Sequence, residues 1–103
     1  RRRVVEAPLE GNSISLSRNK REVTLAGEVV ELTMKEFELL AVLMEEPGRT
    51  VPRQELYSRV WDPVWIGSGK TLDVHIAGIR KKLGDPTYIE TVRGVGYRFV
   101  DAT

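Results

Sequence analysis

The sequence predicts an α+β domain in which a short antiparallel sheet precedes three helices and a closing β-hairpin. Three observations predict it. Apolar residues alternate with polar ones early in the chain, at Ile14 and Leu16 and again at Val23 and Leu25, which is the period of a half-buried strand. After Thr33 the apolar spacing becomes helical and stays so through three segments. Near the end a Gly94-x-Gly96 turn joins two short apolar runs and returns the pattern to strands.

The opening run, Ser13-Ile14-Ser15-Leu16-Ser17, alternates strictly, and Arg18-Asn19-Lys20 follows as a turn. Val23 and Leu25 continue the alternation, Ala26-Gly27 makes a second tight turn, and Val30 and Leu32 restore the period, so an antiparallel meander is expected over roughly residues 4–32. Thr33 with Glu36 is a capping-box signature, in which each side chain satisfies the other residue's free backbone N–H. Phe37, Leu40, Ala41 and Met44 then give the first helix one apolar face, and Pro47-Gly48 ends it. A second helix is expected from about Pro52, burying Leu56, Val60 and Tyr57, with Asp62-Pro63 as its stop. The third helix should run from about Lys70 to Leu83, with Gly84 as its stop, before a hairpin from Tyr88 to Val100.

The 103 residues suit one domain, and 41% hydrophobic with 30% charged side chains is the balance of a folded chain. There are no cysteines, which excludes disulfides and thiolate metal sites and fits a reducing cytoplasm. No apolar run approaches the roughly 20 residues of a membrane span, and no signal peptide is visible. Arg1-Arg2-Arg3 opens the chain without an initiator Met, so a fragment of a longer protein is expected. The net charge is only +1, but it is unevenly spread: +4 over residues 1–21, −5 over 22–55, zero over 56–69 and +2 over 70–103. A surface for an anionic partner is therefore expected toward the C-terminal third, against the plainer reading of an unevenly charged solvated surface.

On a helical wheel of residues 70–83, Leu72, Ile76, Ile79 and Leu83 form a narrow core stripe. The opposite arc holds Lys70, Val74, Ala77, Gly78 and Lys81, with Asp73 and Arg80 on one flank and Thr71, His75 and Lys82 on the other. That face is small in the middle and basic at both ends. Small apolar groups can lie against thymine methyls in a major groove, and basic ends can hold phosphates. A helix that only met water would make Gly78 a plain defect, costing about 1 kcal/mol.

Three runs now carry a resemblance: Thr71-Leu72-Asp73-Val74-His75-Ile76, Ile79-Arg80-Lys81-Lys82-Leu83, and Ile89-Glu90-Thr91-Val92-Arg93-Gly94-Val95-Gly96-Tyr97-Arg98-Phe99. With Leu32-Thr33-x-x-Glu36-Phe37-x-Leu39-Leu40 and Val60-Trp61, they closely resemble the C-terminal output domain of OmpR/PhoB-type response regulators over nearly the whole chain. The resemblance implies a winged helix-turn-helix with an N-terminal four-stranded antiparallel sheet, spanning 4–103 after a linker remnant at 1–3. It also implies a receiver domain, absent from this chain and phosphorylated by a sensor histidine kinase. It implies double-stranded promoter DNA as partner, with direct repeats bound by a head-to-tail dimer that associates weakly or is monomeric alone. By the same resemblance the third helix enters the major groove and the C-terminal hairpin, the wing, reaches the minor groove. Arg93 matches the wing-tip minor-groove arginine. Thr91 and Tyr97 match backbone contacts near the wing, as Arg53 and Trp61 do on and after the second helix, and Arg80 matches a phosphate-binding arginine. Ala77 and Gly78 depart from the paired arginines of well-known members, which leaves Lys70, Val74 and Lys81 as the best major-groove candidates, with Ala77, Gly78 and Thr71 kept among the DNA-binding residues.

Other signals are weaker. Gly67-Ser68-Gly69-Lys70-Thr71 resembles the end of a phosphate-binding loop, but Val64 stands where that pattern needs glycine, and no strand precedes it. A helix N-terminus with a lysine still attracts phosphate, here that of DNA. His75 is the only histidine, so neither a His metal cluster nor a catalytic dyad can form, and it reads as a flanking polar residue. Nothing points to an enzyme, a metal or a cofactor. Pro63, Val64, Trp65 and Ile66 place large apolar side chains in a loop, either folded over the core or offered to a protein. In the resembling family the 62–69 loop can touch RNA polymerase. Trp61 is expected to pack on the domain with its N–H available to a phosphate. The competing reading is a winged-helix protein-interaction module with no DNA ligand, which would not need the wing arginine or the basic-ended third helix.

Overall fold

The computed structural model describes residues 7–61 and 70–101. Four strands, β1 (Leu9–Gly11), β2 (Ile14–Ser17), β3 (Glu22–Leu25) and β4 (Glu28–Val29), pair antiparallel in chain order. Register follows the alternation: Leu16 stands opposite Val23 on one side and Leu9 on the other, so these apolar residues share the inner face. Two two-residue turns have both central residues at positive φ, Asn12-Ser13 (54° and 68°) and Ala26-Gly27 (51° and 86°), the twist that suits a tight hairpin. Ser13 is thus a turn residue and not the first residue of a strand, and β4 stops at Val29, short of the expected Leu32. Val30 and Leu32 still pack against the core, and Val30 N–H donates to Val23 O of β3 at 2.9 Å just past the end of β4.

The first helix, α1 (Met34–Glu45), starts on the expected box: Glu36 N–H donates to Thr33 Oγ1 at 3.2 Å and Thr33 N–H to Glu36 Oε1 at 2.9 Å. Its burial is wider than one face. Leu39, Val42 and Leu43 are buried along with Phe37, Leu40, Ala41 and Met44, because α1 lies between the N-terminal sheet and the remaining helices and strands.

A strand too short to show a period in the sequence, β5 (Thr50–Pro52), runs straight into the second helix, α2 (Arg53–Val60), so Pro52 is the residue before the helix and not inside it. The third helix, α3 (Lys70–Leu83), buries Leu72, Ile76, Ile79 and Leu83 as its period requires, and Gly84 at φ 80° stops it. A single 3-10 turn, Pro86–Tyr88, capped by Asp85 on the Thr87 N–H at 2.8 Å, leads to β6 (Ile89–Val92) and β7 (Gly96–Phe99). The second sheet has the order β5-β7-β6, all antiparallel. β7 crosses β5 so closely that a Cβ on Gly96 would collide with the Val51 carbonyl, so this position tolerates only glycine.

One core joins the layers, with Leu16, Leu39, Leu40, Leu43, Leu56, Leu72, Ile76, Ile79, Ile89 and Phe99 fully buried. Each such side chain contributes about 1.5–3 kcal/mol of burial, so the fold rests on contacts between layers. The sheets are also bridged directly: the Asn12 amide donates to Val100 O at 3.1 Å.

Candidate nucleic-acid interface

α2 and α3 form the helix-turn-helix, and tyrosine and tryptophan side chains hold them together. Leu72 N–H, one of the donors that the first turn of α3 cannot satisfy within the helix, donates to the Tyr57 hydroxyl at 3.2 Å. Trp61 packs 5.5 Å from the Tyr57 ring and edge-on to His75 at 5.2 Å, and Lys35 lies 5.9 Å from its centre. His75 Nδ1–H donates to Thr71 O at 2.8 Å, one turn back along the helix, in keeping with a flanking polar residue.

The solvent face of α3 carries Lys70, Val74, Ala77 and Lys81, all exposed, and Val74 is 65% exposed. Lys70 stands at the first position of the helix, with Thr71 half-buried next to it.

Two residues expected on or beside this face also meet other parts of the domain. Gly78 looks toward α1: a Cβ there would run into the Glu36 carboxylate. The wheel put Gly78 on the outer arc because it cannot register how closely a neighbouring helix approaches. Glu36 reaches this place because it also accepts from Lys82 Nζ at 2.7 Å. Burial alone would raise its pKa. The Lys82 bond and the Thr33 N–H outweigh burial and hold the carboxyl below its usual value near 4.5. Arg80, the expected phosphate-binding arginine, donates from Nε and Nη2 to Ile89 O at 3.1 and 2.6 Å, and from Nη2 also to Thr91 Oγ1 at 2.9 Å. Its guanidinium lies 5.8 Å from the centre of the Tyr97 ring.

Arg53 opens α2 and donates to Asp73 Oδ1 at 2.7 Å, and the Tyr97 hydroxyl donates to the same oxygen in a short bond. Arg53 first, and Tyr97 second, hold the Asp73 carboxyl below its ordinary value, against a smaller effect of burial. Burial, helped by the Asp73 charge, pushes the Tyr97 phenol up. On the helical wheel Asp73 is only a flank residue. The signal that marks it is its spacing of seven from Arg80, which puts both on one stripe.

At the far end Arg93 is exposed in the β6–β7 turn, which Val95 N–H closes on Val92 O at 3.0 Å with Gly94 at φ 78°. Thr91 is exposed beside it and Val95 is 46% exposed. The structure therefore brings Lys70, Thr71, Val74, Ala77 and Lys81 together on α3, and Arg53, Arg80, Thr91 and Tyr97 into the seam between the helices and the hairpin. Trp61 lies behind α3, and Arg93 stands at the hairpin tip. Pro63, Val64, Trp65 and Ile66 lie outside the described residues.

A helix-turn-helix followed by a hairpin with an exposed arginine tip is the winged helix-turn-helix class. Residues 27–99 match the family model described as "Transcriptional regulatory protein, C terminal". The sensory transduction protein RegX3 of Mycolicibacterium smegmatis is 38% identical over 94 residues, covering 87% of this chain and 41% of that protein. The chain thus spans about two fifths of the length of such relatives. Among solved structures, the DNA-binding domain of CpxR from E. coli matches with a TM-score of 0.84 at 32% identity, covering 95% of this chain and all of that one. The Klebsiella pneumoniae RstA DNA-binding domain, solved in complex with RstA box, matches with a TM-score of 0.82 at 30% identity, covering 92% and 98%. The chain belongs to the transcriptional regulatory protein C-terminal family, the output domains of OmpR/PhoB-type response regulators.

Proposed function

We propose that this domain binds double-stranded DNA sequence-specifically as the output domain of a two-component transcription regulator, with α3 in the major groove and the β6–β7 wing in the adjacent minor groove. The observation that carries the reading is the solvent face of α3, where Val74, 65% exposed, and Ala77 lie between Lys70 and Lys81, with Arg93 exposed at the wing tip. Val74 and Ala77 suit thymine methyls, Lys81 a base edge or phosphate, and Arg93 a narrow minor groove. Lys70 and Thr71, at the N-terminus of α3, suit a backbone phosphate. Arg53, Thr91 and Tyr97 flank these contacts from the seam, and Trp61 flanks them from the end of α2. The RstA neighbour, captured with its DNA box, supports the same mode here.

In the whole protein, a receiver domain phosphorylated by a sensor histidine kinase would control this one in the cytoplasm. The 62–69 loop would meet RNA polymerase, and two copies would sit head to tail on direct repeats. The family and the relatives' greater length support this.

Selection of bound duplexes from a randomised pool by gel shift, followed by sequencing, tests the reading and returns the operator. One motif should be enriched, and Arg93→Ala should weaken binding by about 1–3 kcal/mol, mainly at A·T positions. Lys70→Ala should lower affinity almost evenly across sequences and reduce the salt slope by about 1. Recovery of no motif, with affinity indifferent to salt, would leave the protein-interaction reading in its place.

A further inference from the structure

Asp73 and Arg80 lie on one stripe of α3, about 10.5 Å apart along its axis at 1.5 Å per residue, and both are bonded to the wing. Asp73 accepts the Tyr97 hydroxyl of β7 while it holds Arg53 of α2 at 2.7 Å. Two turns further on, Arg80 holds Ile89 O at 2.6 Å and Thr91 Oγ1 at 2.9 Å, both on β6. Each strand of the hairpin is thus tied to a different turn of the helix. A third tie comes from α2: Arg53 N–H donates to Val95 O at 3.0 Å, next to the β5–β7 pairing of Pro52 with Gly96.

We propose that Asp73 and Arg80 are positioning residues that fasten the wing to α3, so that the elements reading the two grooves are presented at one fixed separation before DNA arrives. An acidic side chain beside a DNA-binding face is repelled by phosphate, so Asp73 is explained by the two partners it holds. Arg80 spends a planar fork on one carbonyl and one hydroxyl, a geometry that lysine cannot reproduce. Fixing the wing in advance removes an ordering cost from binding and makes the operator's internal spacing part of what is recognised. The consequence for DNA rests on the function proposed above, whereas the fastening does not.

The test uses this 103-residue chain and the variants Arg80→Lys and Asp73→Ala, with Thr91→Val as a milder cut that removes one acceptor. Without DNA, backbone amides of residues 89–99 should exchange about ten-fold faster in Arg80→Lys and Asp73→Ala, while those of α1 stay unchanged. With DNA, one base pair inserted between the major-groove and minor-groove segments of the selected operator should cost the natural chain about 100-fold in affinity. The same insertion should cost the two variants less than about 10-fold. Arg80→Lys tells the roles apart: a phosphate contact would survive the exchange of one cation for another, and the fastening would not. Natural exchange rates in the wing of Arg80→Lys, or the same spacing penalty in variant and natural chain, overturns the inference. If the natural chain binds no duplex selectively but the variants still loosen the wing, the DNA reading fails and the fastening stands.

Discussion

At Glu36, one carboxylate oxygen accepts the Thr33 N–H and the Lys82 ammonium at 2.9 and 2.7 Å, and the other faces Gly78 across the α1–α3 contact. A Gly→Ala change inside a helix ordinarily gains about 1 kcal/mol. Here the new methyl must push the carboxylate away from both of its donors, and losing the reciprocal cap and the half-exposed ion pair with Lys82 costs about 1–2 kcal/mol. Gly78→Ala is therefore expected to destabilise the domain by up to about 1 kcal/mol. In a Glu36→Ala background, where the carboxylate is gone, the same substitution should stabilise it by about 1 kcal/mol. Urea unfolding of the four chains reads the change of sign, and additive effects would show that Glu36 and Gly78 do not meet. Gly96 offers no such compensation, because its obstruction is the Val51 backbone and not a movable side chain.

At the scale of elements, α3 depends on its neighbours for its first turn. Tyr57 supplies an acceptor to Leu72 N–H at 3.2 Å and also packs on Trp61, so α2 caps α3 and sets its angle at once. Tyr57→Phe keeps the ring and removes the hydroxyl that accepts from Leu72 N–H. It should cost about 1 kcal/mol, with faster amide exchange at the start of α3 and little change in β1–β4. Uniform loosening of the whole domain would mean that the hydroxyl has no local role. β5 matters in a similar way. Only three residues long, it feeds directly into α2 and pairs with β7, so the helix-turn-helix and the wing share a strand as well as side chains.

At the scale of the molecule, carboxylates tie separate layers together. Glu45 accepts from Arg18 of the N-terminal sheet region at 2.6 Å and from Arg59 of α2 at 2.8 Å. Glu36 joins α1 to α3, and Asp73 joins α3 to α2 and β7. Burial works to raise Glu36 and Glu45, but their basic partners prevail, and both sit below the usual 4.5. Arg53 above all holds Asp73 below 3.8. The folded state therefore binds fewer protons than the unfolded chain in this range, and stability rises with pH. The contribution is complete above the ordinary carboxylate values and is lost as pH falls through the lowered ones. Unfolding free energy should be flat down to about pH 5 and fall steeply below about pH 4. Glu36→Gln should be less stable than the natural chain at pH 7 and lose less on acidification. A profile unchanged to about pH 3 would remove these pairs from the account of stability.

The sequence by itself determined the two periodicities, the Thr33–Glu36 cap, the tight turn at Ala26-Gly27, the core stripe of α3 and its Gly84 stop, because each depends on residues close together in the chain. Motif resemblance added the family, and with it the exposed Arg93 at the wing tip. Only the tertiary structure decided the burial of α1 on more than one face and the pairing of β5 with β7. It alone turned Gly78 inward against Glu36 and gave Arg80 to Ile89 and Thr91. Each of these depends on how closely two distant segments approach, and neither a helical wheel nor a spacing rule contains that distance.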